Sequence, residues 1–270
     1  MAENFPARIV CLSAESAEII SLLGRDDLIV GISVYCAGIS DSLKSKPKVS
    51  SFTKANLRKI AGLEPDICIA YSDVQADICK ELIKSGINVI CFNQRTIDDI
   101  LNIIEVTGRL INEPDKAIMI TNDIKRHISS ISNKAGHFIK RPKVYFEEWN
   151  SPLVTGIKWV SEIIEIAGGI CVFKKRSDGK SANERIVNSE EIIAENPDIV
   201  IASWCGKKVD IEEIRNRHGW DSVNAVIHNR IYEISSDVIL QPGPRLFYDG
   251  LVRIYSIIKN YNDEIQTNIY

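Results

Sequence analysis

The sequence predicts an α/β protein of two Rossmann-like lobes, each a mostly parallel sheet with flanking helices, joined by one long rigid helix. Three observations carry that expectation. Short β-branched runs alternate with amphipathic stretches on both sides of the chain's midpoint, the pattern of strands crossing over through helices. Between 113 and 140 the alternation stops and one apolar stripe runs through Ile118, Ile124, Ile128 and Ile131. Finally a segment recurs: LRKIAGLEPDICIAY (57–71) and SEEIIAENPDIVIAS (189–203) both read as a short helix, a Pro-Asp turn and an apolar strand. The lobes are therefore expected at 7–112 and 141–262, with the linking helix at 113–140.

In the first lobe RIVCLS (8–13) reads as a strand and AESAEIISLLG (14–24) as a helix, with Ser13 placed to cap its start and Gly24 to end it. LIVGISVY is a second strand, followed by a polar loop through Pro47. PKVSSF leads into the short helix ANLRKIAGL and the strand PDICIAY, with Asp66 supplying turn hydrogen bonds. DVQADICKELIKSGI is helical, NVICFN a strand and TIDDILNIIEVTGRLIN a helix. At 1.5 Å per residue the stretch that follows would span roughly 40 Å as a helix. In the second lobe KVYFEEW reads as a strand and SEIIEIAGGICVF as mostly helix. SEEIIAENPDIVIASW gives helix then strand, EEIRNRHGWDSV a helix, RIYEISS a strand and GPRLFYDGLVRIYSIIKNY the closing helix.

Composition excludes several classes. A net charge of −3 offers no basic stripe for nucleic acid. The opening MAENFPARIVCLS lacks a charged and then apolar leader, and no apolar run approaches the ~20 residues needed to cross a bilayer. The chain as written is expected to be cytoplasmic, and periplasmic or surface-anchored if a leader was removed. Seven cysteines without a CxxC pair read as buried free thiols. His127, His137, His218 and His228 share no metal spacing, so a bound free metal ion is not expected. DGKS at 178–181 lacks the first glycine of a phosphate loop, which would be residue 174, a lysine.

Open α/β sheets place ligands at the carboxyl ends of their strands, and two lobes would leave a cleft there. The residues just past the expected strands are Tyr35, Phe52, Tyr71 and Asn93 in the first lobe. The second supplies Glu148, Trp149, Trp204 and the loop from Gln241 to Arg245. This aromatic, mostly uncharged set suits a large, flat, partly apolar ligand. Glu147 and Glu148 are adjacent on a strand, so their side chains point to opposite faces and cannot act as one acid/base pair. No catalytic residue is assigned. Arg245 is placed to meet an anionic ligand group or an acid such as Glu148, and Trp159 is expected in the core.

The motifs RIVCLSAESAEIISLLG, LIVGISVY, PKVSSFTKANLRKIAGLEPDICIAY, VTGIKWVSEIIEIAGGICVF and VNSEEIIAENPDIVIA resemble, in order and spacing, the class III substrate-binding proteins of ABC importers. That helical-backbone group carries cobalamin, haem and ferric siderophores. The resemblance implies a non-catalytic binding protein for a corrinoid, haem or ferric siderophore, with no intrinsic cofactor. It implies that Tyr35, Phe52 and Tyr71 stack on the ligand and that a loop matching Pro152 to Thr155, including Val154, lines the cleft. It also implies docking on an ABC permease through an acidic residue on each lobe. Glu190 matches the second-lobe position, whereas the first-lobe position is Arg58, a reversed charge. The alternative is a cytosolic enzyme or carrier in nucleoside-like or tetrapyrrole salvage, with Glu148 as general base.

Overall fold

The computed structural model describes residues 6–36 and 39–269. The opening residues 1–5 and two positions of the loop before Pro47 lie outside the described residues. The chain forms two compact units, Met1–Asp123 with Pro242–Pro244 and Ile124–Gln241 with Arg245–Tyr270.

The first unit holds a five-stranded sheet of β1 (Ile9–Cys11), β2 (Ile29–Ser33), β3 (Lys48–Ser50), β4 (Ile67–Tyr71) and β5 (Val89–Phe92). The order is β3-β2-β1-β4-β5, and every pairing is parallel. A parallel sheet needs helices over its faces, which makes its central strand continuously apolar. All three residues of β1 are buried accordingly. Thr96 opens the helix Ile97–Leu110 with a capping box, its side chain accepting from the Asp99 amide while Asp99 accepts from the Thr96 amide. Ser13 makes no such cap on the helix Ala14–Leu22; its hydroxyl lies 3.2 Å from that of Ser16 instead.

The second unit contains β6 (Lys143–Asn150), β7 (Leu153–Thr155), β8 (Ile170–Cys171), β9 (Ile199–Ala202) and β10 (Ile231–Glu233). The order is β10-β9-β6-β7, and β8 also pairs with β6. All its pairings are parallel except β6 with β7, which form a hairpin. Neither β7 nor β8 was expected: both are two or three residues long, and β8 falls inside the apolar run read as helix. That helix is confined to Lys158–Ile166, and Gly168, at φ +97°, turns the chain out of it. Trp159 lies in the core, and its indole N–H donates to the Ile239 carbonyl at 3.0 Å.

The long helix runs from Pro114 to Ala135, 22 residues and roughly 33 Å at 1.5 Å per residue. Its buried stripe comprises Ala117, Thr121, Ile124, Ile131 and Ala135, with Ile128 half-buried, whereas Ile118 is exposed. Small Ala117 occupies the buried position beside Gly108, and Ile118, one residue on, faces outward. Five cysteines are buried, as the reading of buried free thiols expected, while Cys91 and Cys205 depart from it and are exposed. No described helix is long and apolar enough to cross a membrane.

Candidate functional site

In the first unit the strand carboxyl ends are tied together by one carboxamide. Gln75, buried in the short turn after β4, donates to the Leu12 carbonyl at 3.0 Å and to the Phe52 carbonyl at 3.1 Å. Its Oε1 accepts the Tyr71 amide at 2.9 Å. One side chain thus fixes the segments that leave β1, β3 and β4. Sequence reading missed it, because a glutamine shows its worth only through partners far along the chain.

Around this clamp the unit exposes apolar surface. Val34 and Tyr35, in the turn after β2, are 46% and 50% exposed; Phe52, after β3, and Val74, after β4, are each 42% exposed. Four large apolar side chains are thus exposed just past the carboxyl ends of β2, β3 and β4, where open α/β sheets place ligands. Tyr71 is buried at the end of β4, behind this surface, and Asn93 is exposed.

In the second unit, the two adjacent glutamates of β6 take opposite faces, as strand geometry requires. Glu147 is fully buried, and Arg217 clasps it with two hydrogen bonds of 2.5 and 2.8 Å. The Trp204 indole N–H and the Tyr145 hydroxyl donate to the same carboxylate at 3.0 and 3.3 Å. Burial disfavours the Arg217 cation, but the Glu147 partner outweighs it and the guanidinium pKa is raised. Burial, with the Glu147 charge beside it, pushes the Tyr145 phenol up as well.

Glu148 faces the other side, where the buried Arg185 grips both its oxygens at 2.5 and 2.8 Å and also donates to the Thr155 carbonyl at 2.6 Å. Both Glu148 oxygens are thus taken up by Arg185, so the expectation of Glu148 as a general base is corrected to an ion-pair anchor. Arg245 likewise pairs not with Glu148 but with Asp237 at 2.7 Å and Asp249 at 3.2 Å. Trp204 is buried in the core cluster with Tyr145 and Trp220, and it meets a cavity only within the second unit. Val154 is buried, Pro152 is exposed, and Gln241 and Trp149 are half-buried. The Trp149 indole N–H donates to the Ser151 carbonyl at 3.0 Å.

Burial raises the Cys36 and Cys68 thiols to about 12 and pushes the Cys11 thiol well up too, so they stay protonated at neutral pH. Among the described residues no three His, Cys, Asp or Glu side chains converge as a metal cage. Glu190 and Arg58 are both exposed, on the helices Ser189–Glu195 and Leu57–Ala61.

Two α/β units sharing a long helix, with exposed apolar side chains past the strands of the first, have the architecture of the helical-backbone class of binding proteins. The periplasmic binding protein family model matches residues 9–238, and the chain belongs to that family. An uncharacterised ABC transporter substrate-binding lipoprotein of Bacillus subtilis is 26% identical over 250 residues, which are 89% of this chain and 76% of that protein. A vitamin B12-binding protein of Vibrio vulnificus is 23% identical over 250 residues, 88% of this chain and 85% of its own. Among solved structures, a possible iron-binding, periplasmic solute-binding protein of Staphylococcus epidermidis superposes with a TM-score of 0.78 at 25% identity, covering 97% of this chain and 99% of its own.

Proposed function

We propose that this protein is the non-catalytic ligand-binding component of an ABC importer and that its ligand is a corrinoid or another large metal chelate, such as haem or a ferric siderophore. The observation that carries the reading is the exposed apolar patch of Val34, Tyr35, Phe52 and Val74 at the strand ends of the first unit. Flat, weakly polar faces of a macrocycle are what such a surface buries well. Trp149 and Pro152 of the second unit are further contact residues in this reading, as are Gln241 and Arg245. Tyr71 and Val154 lie buried. The relatives named for vitamin B12 binding and for ABC transport support the same class of ligand and a permease partner.

The permease surface that receives this protein would meet an acid at Glu190 and a base at Arg58, so it is expected to carry opposite charges at its two landing points. Titration of the purified protein with cyanocobalamin, dicyanocobinamide, haemin and ferric siderophores tests the ligand class. At least one should bind with Kd below about 10 μM, roughly −7 kcal/mol. Tyr35→Ala/Phe52→Ala should weaken that binding by about tenfold or more through lost stacking. No binding of any of the four below about 100 μM would sink the reading.

A further inference from the structure

Lys207 stands five residues past the end of β9, and its charge is held in place. Its Nζ lies 4.5 Å from the centre of the Trp204 ring and 5.3 Å from that of Trp149. It also donates to Asn150 Oδ1 at 3.2 Å, and the Asn150 amide donates to Glu213 Oε1 at 2.7 Å. A lysine normally swings on a flexible four-carbon stem. Two indole faces and an amide oxygen fix this one, and unlike a carboxylate they leave its positive charge uncancelled. Neither Lys207 nor its neighbour Lys208 has an ion-pair partner among the described residues.

Both lysines border a cavity of about 290 Å³ whose wall also includes Trp204, Gly206, Ser235 and Ser236. The cavity lies wholly within the second unit, at the carboxyl ends of β9 and β10. Glu233 is the only acid on its wall among the described residues, and its carboxylate accepts the Val209 amide at 3.0 Å. Two lysines therefore share this wall with a single carboxylate. At Gly206 there is open space where a side chain would be, so the rim is unobstructed.

We propose that this cavity is an anion subsite that binds ionised carboxylates of the ligand through Lys207 and Lys208. The ligand is then a chelate bearing acidic side chains, in preference to one whose acids are amidated or esterified. This inference rests on the chelate-binding reading above.

The test is to titrate the full chain with haemin and with haemin dimethyl ester, which differ only in whether the two side-chain acids can ionise. The wild type should bind the diacid at least tenfold more tightly than the diester. Lys207→Gln/Lys208→Gln should lose that preference by weakening only the diacid, while Lys207→Arg/Lys208→Arg should keep most of it. Equal affinity of wild type for both forms, or a preference that survives the double glutamine variant, would overturn the subsite. If neither form binds, the haem form of the chelate reading fails by itself, and the cavity is then judged with succinate by following the indole N–H resonances of Trp149 and Trp204. Shifts at millimolar succinate that vanish in the double glutamine variant uphold the anion subsite; unmoved resonances reject it.

Discussion

Glu15 is a buried acid for which the structure supplies too few partners. It sits in the first turn of the helix Ala14–Leu22, 5% exposed, and its Oε1 has no hydrogen-bond partner. Burial raises its pKa from 4.5 to about 7, so the folded chain holds the proton more tightly than the unfolded chain does. Its stabilising contribution is thus complete below pH 4.5, is lost as pH rises to about 7, and is absent above that. The loss is on the order of 3 kcal/mol. Glu15→Gln should remove this pH dependence, so denaturant titrations from pH 4 to 8.5 should show the variant gaining on wild type as pH rises. Parallel curves for the two proteins would refute the assignment. The ion pair of Glu147 and Arg217 makes a second prediction at this scale. Arg217→Met strands a fully buried carboxylate and should cost about 3–5 kcal/mol, whereas adding Glu147→Gln should recover part of that loss. Equal stability of the single and double variants would mean that the pair is not coupled. The opposite facing of Glu147 and Glu148 was legible in the sequence because a strand alternates. Their partners were not, since Arg217 and Arg185 stand far along the chain and no local pattern selects them.

Elements were legible where period and punctuation agreed. Thr96 followed by Asp99 marks the start of the helix Ile97–Leu110, and Asn188 followed by Glu191 does the same for Ser189–Glu195. The segment EEIRNRHGWDSV reads as a single helix, but the structure divides it into Ile211–Arg215 and a short turn at Trp220–Ser222. Gly219, at φ +79°, was the visible signal for that break. Strands β7 and β8 were illegible for a different reason. Pieces of two or three residues have no period, and only the edge of β6 gives them a place. Packing between elements was equally hidden. A side chain at Gly108 would run into Ala117 of the long helix and come within 2.9 Å of the Glu113 carbonyl. Gly108→Ala therefore forces apart two helices of the first unit and should cost about 1–3 kcal/mol despite the better helix propensity of alanine. Thermal unfolding checks this, and a variant as stable as wild type would show that the contact gives way freely.

At the scale of the whole molecule, the sequence's internal repeat proves to be a physical one. Glu64 and Asn196 take left-handed conformations at φ +46° and +47°, each at the helix end before a Pro-Asp pair. Asp66 accepts the amides of Ala7 and Arg8 at 2.7 and 2.8 Å, and Asp198 accepts that of Lys143 at 2.9 Å. The two aspartates were expected to brace their own turns. Instead each ties its strand, β4 or β9, to the start of the neighbouring strand, β1 or β6, a long-range role that only the sheet order reveals. The long helix was legible for its length, but its buried face was shifted, because the stripe drawn through isoleucines ignored Ala117 and Thr121. It runs unbroken across the boundary between Asp123 and Ile124, and it is predicted to pass stability from one unit to the other. Asn122 lies exposed in its interior, where proline removes a backbone hydrogen bond, clashes with the carbonyl four residues earlier and costs about 3 kcal/mol or more. Asn122→Pro should therefore speed amide exchange in both β4 and β6, while Asn122→Ala, neutral or mildly stabilising by propensity, should change neither. Exchange that accelerates in only one of these strands would show that the units open independently and that the helix is a tether rather than a shared support.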